Sequence, residues 1–582
     1  MIEASVVSAP HGRPGFLLTA SLALIGAALN GFAPSAHLSK RLERPMTAFR
    51  HVNVVTMDHP GVLQDQTVLI SGDEIASIAP ASATRIPNGA RVIEAGGKYL
   101  FPGLVDFHSH PYAEELPSFL AYGDTTIVTL DGEGLAWPDL EARAAGTPLP
   151  NVISATRILD GVPPTDPRFY TIGSPDDVPA ILDLERQRGA ALVKVYTSLH
   201  EPEFRRVAQE ARKRGMAVAG HIPRKLSMET VLVGGLNLVA HGEEFFQFMP
   251  SDATEAQIDP VVRMTAENGV ALIPNLVAYV EMPRHAAALN VILQDPEIAY
   301  VSPATYHEWS PANDRYARRS NIAGFVAISA TRLETLKLLT RKMHRAHVLL
   351  LAGTDAPVVA FPGVALLEEI GLLSQSGLGN YEALKTATVN PGLFAAKYMK
   401  GRKRFGAVEV GDQADLLLLG ADPVASLDAL KRLDGVMVKG RWWTPEDLSR
   451  PRERIKAAVR PLQAKVREFD RLVAGKEFDA LYSLLDRSAH DGPFLEENTV
   501  MFDALGLKEK GRGTEAAKML QHALRNRVTT TSGGLHKVLA RLRVESGDPA
   551  GAKAEFEAAL KEMPHDGVAQ AGLAELAASQ RN

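Results

Sequence analysis

Between residues 101 and 356 the chain repeats one pattern: a short apolar run, then a longer stretch whose apolar positions recur every three or four residues. Short continuous apolar runs suit strands buried on both faces, and the periodic stretches suit helices packed over them. The runs predict strands over Leu104–His108, Thr125–Leu130, Asn151–Ala155, Leu192–Tyr196, Ala217–His221, Leu238–His241, Val270–Pro274 and Val348–Gly353. Helical patterns fill most of the gaps, with Pro202–Arg214 after the fourth strand and Ile328–Ala346 before the eighth. Strands alternating with helices over roughly 300 residues predict an α/β fold of the TIM type, a closed (β/α)8 barrel. The stretch 275–327, which includes Tyr306-His-Glu-Trp-Ser-Pro, is too long for a simple connection. It is expected to form a lid or a pocket wall.

The flanks have a different texture. Val52-Asn-Val-Val, Thr67-Val-Leu-Ile and Ile75-Ala-Ser-Ile are short strands with a turn at Gly72-Asp-Glu. Similar strands return at Ala414-Asp-Leu-Leu-Leu-Leu and Val436-Met-Val-Lys-Gly-Arg-Trp-Trp. A small composite β-sandwich over 46–100 and 401–447 is therefore expected, built from both sides of a barrel over 101–400. From 448 to 582 the pattern is charged, Ala- and Leu-rich helix. Gly475, Gly511 and Gly547 are spaced 36 apart there, as are Ala480, Ala516 and Ala552, and Leu484, Leu520 and Phe556. This period predicts stacked helix pairs resembling tetratricopeptide repeats, a surface suited to self-association, to docking a protein, or to covering one face of the barrel.

Composition narrows the chemistry. A chain of 582 residues exceeds one core, and its net charge of −5, with no basic block, gives no footprint for nucleic acid. Zero cysteines exclude disulfides, thiolate nucleophiles and thiolate-bound zinc, so any metal must be held by His, Asp, Glu or a modified Lys. Near the N-terminus, Arg13 precedes an apolar run from Phe16 to Leu29 and then small residues at Gly31, Ala33 and Ala36. Residues 1–45 thus read as a signal peptide or a disordered segment, which places the protein in the periplasm or outside the cell. A start at Met46 would instead leave it cytoplasmic. No other stretch reads as membrane-spanning.

Polar residues gather where the strands end. The first strand closes on His108-Ser-His110, whose imidazoles, at i and i+2, point the same way. Lys194 interrupts the apolar fourth strand, His221 and His241 end the fifth and sixth, and Asp355 follows the eighth. Barrel enzymes keep their chemistry at this carboxyl rim. Buried polar groups without partners cost several kcal/mol each, and a divalent metal would satisfy all of these together.

This ordered set, with Phe101-Pro-Gly-Leu-Val-Asp-Phe-His-Ser-His and the later Ala387-Thr-Val-Asn-Pro-Gly and Gly406-Ala-Val-Glu-Val-Gly, resembles the metal-dependent amidohydrolase superfamily. Within it the likeness is to the imidazolonepropionase-like and prolidase-like branch, over roughly residues 47–445. The resemblance implies two divalent metals, zinc first among them. It places His108, His110 and Asp355 on one ion, His221 and His241 on the other, and an N6-carboxylated Lys194 across both. Imidazolonepropionases lack that lysine, and the 27-residue gap from Lys194 to His221 is shorter than in some peptidase relatives.

The implied reaction is hydrolysis of a C–N amide bond in a dipeptide, an N-acyl amino acid or a cyclic amide. A hydroxide bridging the two metals would attack, and Asp355 would act as general base and then acid. Tyr196, on the face of Lys194, is a candidate oxyanion donor, while Arg157 reads as a wall residue and His200 and His307 stay unassigned. Esters, lactones, phosphotriesters and ring deamination remain open for the same activated water. A non-catalytic scaffold built on the repeats is the remaining alternative.

Overall fold

The structure is a computed structural model that describes residues 45–132, 146–488, 494–529 and 531–579. The proposed signal segment lies outside them. Among the described residues no helix is long and apolar enough to cross a membrane.

The described residues open with β1 (Met46–Val54), β2 (Leu63–Ser71), β3 (Glu74–Pro80), β4 (Arg91–Glu94) and β5 (Tyr99–Pro102). Then come the barrel strands β6 (Leu104–Ser109), β7 (Asp124–Thr129) and β8 (Asn151–Ser154), and the short β9 (Leu159–Asp160) and β10 (Tyr170–Thr171). After these follow β11 (Leu192–Val195), β12 (Ala217–Gly220), β13 (Leu238–Val239) and β14 (Ala271–Leu272). The last three strands, β15 (Leu416–Leu419), β16 (Leu433–Val438) and β17 (Arg441–Trp443), return to the first group.

Strands β6, β7 and β8 pair in parallel, as do β11 through β14. Parallel bridges join the two runs at Ala155–Leu192 and continue through Leu272–Leu350 to Ser109–Ala356. The backbone bonds Phe107 N to Ala352 O (2.9 Å) and Thr354 N to His108 O (3.0 Å) complete the ring of neighbours. Val105, Phe107, Ile153, Leu192, Ala219 and Leu351 belong to one buried cluster formed by strands all round this ring. Layers of side chains from every strand fill such barrels, so apolar runs too short to stand alone are stable here.

Three expected elements differ. The eighth strand, Val348–Gly353, is not a continuous strand and contacts its neighbours through single bridges. Its backbone must pass close to β6, since a Cβ on Gly353 would lie 2.8 Å from His108 Cβ, and it turns sharply at Asp355 (φ 61°). The sixth and seventh strands pair over two residues each, so His241 and Pro274 already lie in loops. Strands β9 and β10, unforeseen in the pattern, extend from the rim, with β9 pairing to β11 at Leu159–Val195.

Helices pack outside. In α1 (Val178–Gln187) and α2 (Glu201–Lys213) the apolar stripe faces the barrel; α2 buries Phe204, Val207, Ala208 and Ala211. Pro202 in its first turn, Glu201 and Glu203 at its start, and Arg212 and Lys213 at its end suit the helix dipole, and Gly215 (φ +68°) follows its end. The long 275–327 stretch is helical, with α3 (Ala278–Ile292), α4 (Pro303–Glu308) and the start of α5 (Ile322–Arg345).

The flanking strands form one sheet in the order β17-β16-β15-β5-β1-β2-β3, so both ends of the chain contribute. β1 pairs β4 along Thr47–Arg50 and β5 along Asn53–Val54, with a register shift between, and the sheet turns there. Phe49, Val52, Leu100, Leu416 and Trp442 share its core, the Phe49 and Trp442 rings meeting edge to face at 5.3 Å.

The C-terminal helices are α6 (Pro445–Gly475), α7 (Phe478–Arg487), α8 (Glu497–Glu509), α9 (Gly513–Asn526), α10 (Gly533–Glu545), α11 (Pro549–Glu562) and α12 (Gly567–Ser579). The 36-residue step marks equivalent places. Ala516 and Ala552 are buried in first helices, and Gly511 and Gly547 take positive φ at the turns before them. The first repeat departs: Ala480 is exposed, and Lys476 rather than Gly475 adopts the left-handed conformation.

Candidate functional site

The rim of the barrel brings the histidines together. Ring centroids run from His110 to His108 at 5.0 Å, from His108 to His241 at 4.7 Å, from His241 to His221 at 4.7 Å, and from His221 to Tyr196 at 4.1 Å. Nε2 of His108 and Nε2 of His110 are 3.1 Å apart, and Asp355 Oδ1 lies 3.3 Å and 3.0 Å from them. Ligand atoms of His108, His241 and Asp355 all fall within 4.8 Å of one another. The i, i+2 spacing of His108 and His110 thus does aim both rings at one point.

Lys194 enters from β11, one place beyond Val193, and is 1% exposed. Its Nζ is buried without a hydrogen-bond partner. Close packing holds it there: a Cβ on Gly220 would lie 3.1 Å from Lys194 Cδ and 2.2 Å from Val195 O, so only glycine fits. Burial lowers the Lys194 pKa to about 8, against the pull of Asp355, Asp131 and Glu244. Burial, and then the Lys194 charge, also holds His108 and His221 well below the usual imidazole range. His241 is lowered by burial too. His110 behaves oppositely: burial opposes its charge, but Asp131 and Asp355 outweigh it and lift its pKa to about 9. Asp355 is held below the usual carboxylate range because His110, His241 and Lys194 outweigh its burial.

Several orienting residues are not evident from the strand pattern. Asp131 Oδ2 lies 2.6 Å from His110 Nδ1, fixing the ring so that Nε2 faces the centre. It lies two residues beyond the end of β7, and the rule that placed the histidines at strand ends covers it as well. Ala240 O approaches His108 Nδ1 at 3.3 Å, a backbone partner that residue types do not reveal. Asn275 Nδ2 is 2.9 Å from His241 Nδ1, while its Oδ1 is buried without a partner. Turned by half a rotation, the carboxamide would accept from Nδ1–H and leave His241 Nε2 free to bind a cation. Glu244 Oε1 is 3.8 Å from His221 Nε2.

Of the weaker candidates, Tyr196 sits beside His221, and burial raises its hydroxyl to about 12, so it stays a donor. Arg157 is committed elsewhere: Nε and Nη2 reach Glu185 at 3.1 and 2.8 Å, and Nη1 donates to Glu562 O at 3.0 Å. His200 precedes α2 and lies 3.4 Å from Lys225 Nζ. His307 belongs to a separate group with Asp470 and Asp503.

The donors suit a divalent cation: the imidazoles of His108, His221 and His241 are held neutral, His110 can give up its proton to a competing cation, Asp355 is ionised, and the buried amine has no other partner. The Phe169 ring, from the β9–β10 loop, stacks edge-on against Tyr196 at 4.8 Å and so walls this rim. The repeats grip the same loop: Lys537 Nζ donates to Phe169 O (2.9 Å), and Asp566 accepts from Thr171 N (3.0 Å).

Solved structures share the fold that carries this site. The putative prolidase from Bifidobacterium longum matches with a TM-score of 0.54 at 22% identity, covering 71% of this chain and 99% of that one. A bottromycin amidohydrolase matches with a TM-score of 0.56 at 21% identity, covering 71% and 91%. A Xaa-Pro dipeptidase with methionine bound in its active site matches with a TM-score of 0.52 at 17% identity, covering 69% and 100%. At such identities these likenesses establish the fold. Adenine deaminase 2 of Bradyrhizobium sp. (strain ORS 278) is 26% identical over 185 residues, 28% of this chain, and the chain spans 30% of that protein. The amidohydrolase family model matches residues 193–443, taking in Lys194, His221, His241 and Asp355 but beginning after His108 and His110. Over that stretch the chain is similar to the amidohydrolase family, and the barrel fold around it is shared with prolidase-like structures.

Proposed function

We propose that the protein is a metal-dependent hydrolase that cleaves a C–N amide bond in a dipeptide, an N-acyl amino acid or a cyclic amide. The observation that carries this reading is the meeting of four imidazoles, a carboxylate and an unpartnered buried amine at one rim. His108, His110 and Asp355 would hold one divalent ion and His221 and His241 the other. Lys194 would bridge them as a carbamate, since burial favours the neutral amine that combines with carbon dioxide and releases a proton. Zinc suits this donor set. Divalent ions bound there supply Lewis acidity, polarising a carbonyl and acidifying water.

The chain's own groups do the remaining work. Asp355, kept ionised, takes a proton from the attacking water and returns it to the leaving nitrogen. Tyr196, kept protonated, donates to the carbonyl oxygen as negative charge gathers on it. Phe169 beside it excludes water from that wall. The adenine deaminase match favours a second reading, hydrolytic deamination of a ring, which uses the same groups on a different C–N bond.

Lys194→Ala tests the first reading. The variant is expected to lose bound metal together with turnover of Xaa-Pro dipeptides by the zinc-loaded protein. Full metal and full turnover in the variant would remove the bridge, and wild-type activity on adenine but not on dipeptides would select the second reading.

A further inference from the structure

A second set of ligating side chains lies outside the rim, where the 275–327 insertion meets the repeats. His307 is on α4, Asp470 on α6 and Asp503 on α8, and one ligand atom from each falls within 4.8 Å of the others. Both α6 and α8 pack against α4. The group is half-buried: Asp470 and Asp503 are partly exposed, while His307 is 4% exposed, its ring lies 6.2 Å from that of Phe469, and its neighbour Tyr306 packs on the core of the C-terminal helices.

The internal bonding leaves the group incomplete. His307 Nδ1 is 2.7 Å from Asp470 Oδ1 and 3.2 Å from Asn313 Nδ2, so one nitrogen faces both an acceptor and a donor. It cannot serve the two at once. Asp503 Oδ2 is buried and makes no hydrogen bond; Lys510 and Arg318 act on it only through their fields. A second buried carboxylate beside an ion pair that needs only one costs free energy unless a cation joins it.

We propose that His307, Asp470 and Asp503 bind a third divalent cation, of zinc or manganese type, that fastens the insertion over the barrel to the helical repeats. One imidazole and two carboxylates make a mixed N/O set with room for water at the remaining positions. Bonds near 2.0–2.1 Å set ligand atoms roughly 3.3 Å apart in a tetrahedral site, so closure from separations within 4.8 Å asks for a contraction of up to about 1.5 Å at the widest pair. The Asn313 amide, donating to Asp470 Oδ1 at 3.3 Å, would then orient that carboxylate toward the cation. None of these residues belongs to the rim, and the site stands whether or not the hydrolytic reading does.

The test is a count. Full-length protein is stripped with chelator, reloaded with zinc, desalted and analysed for metal, alongside Asp503→Asn and His307→Gln. Both variants are expected to hold one equivalent fewer than wild type. They should also lose the rise in unfolding temperature that zinc gives the wild type beyond its effect on the rim. Where either variant fails to fold, cobalt titration of His108→Ala/His110→Ala/His221→Ala/His241→Ala protein reads the site instead, as one bound equivalent with visible d–d absorption. Equal metal content in wild type and Asp503→Asn, or no cobalt bound by the rim-depleted protein, overturns the proposal and leaves a hydrogen-bonded His–Asp pair.

Discussion

At the scale of single residues, the ligand candidates depend on groups that hold them. Asp131 is the clearest: its 2.6 Å contact fixes the His110 ring. Asp131→Ala is expected to weaken metal binding about 10–100-fold, measured by competition with a chromophoric chelator, while leaving the fold intact. A different residue reports on pH. Glu369 is 0% exposed, accepts from Val277 N at 2.8 Å through Oε2, and has no partner at Oε1. Burial pushes its pKa from 4.5 up to about 8. A raised folded pKa contributes stability that is full below pH 4.5 and is lost as pH rises through 8. Glu369→Gln removes that loss. The variant should match wild type near pH 4 and exceed it at pH 9 in chemical denaturation; parallel curves at both ends would show that Glu369 does not titrate there.

At the scale of elements, close backbone approach decides where strand ends point. Gly353 lets the eighth segment lie against β6, since a side chain there would sit 2.8 Å from His108 Cβ and 2.9 Å from Ile273 Cγ2. Gly353→Ala is expected to cost about 1–3 kcal/mol in thermal or denaturant unfolding and to release metal, because the strain falls on His108. Apolar runs announced seven of the eight barrel segments as strands, from composition alone. The eighth run has the apolar pattern of a strand but is not a continuous one, because its hydrogen bonds are divided between β6 and β14 and its backbone turns at Asp355. Strands β9 and β10 escaped notice because two-residue pairings leave no periodic trace.

At the scale of the whole molecule, the C-terminal helices hold the segment that walls the candidate site. Lys537 and Asp566, 2% and 0% exposed, form a 3.1 Å ion pair whose other bonds hold Phe169 O and Thr171 N. Removing one partner of a buried pair strands the other charge. Lys537→Met should therefore lower stability by about 3–5 kcal/mol in denaturant titration of the full chain. Lys537→Met/Asp566→Asn should recover part of that. A loss under 1 kcal/mol for the single variant would mean the repeats are held by other contacts, such as Arg157 with Glu562 and Gln463 with Val301.

The sequence by itself determined the local pieces: apolar runs that suit buried strands, a 36-residue spacing in the C-terminal helices, and the chemical types of the six rim groups. It did so because burial, periodicity and ligand chemistry act on each residue where it stands in the chain. Which neighbours complete those groups was decided only by tertiary structure. Asp131, Asn275, Ala240 and Phe169 come from separate loops, and their partnership with the histidines and Tyr196 rests on barrel closure rather than on any spacing. The same closure committed Arg157 to Glu185 and the repeats, and carried His307 to Asp470 and Asp503.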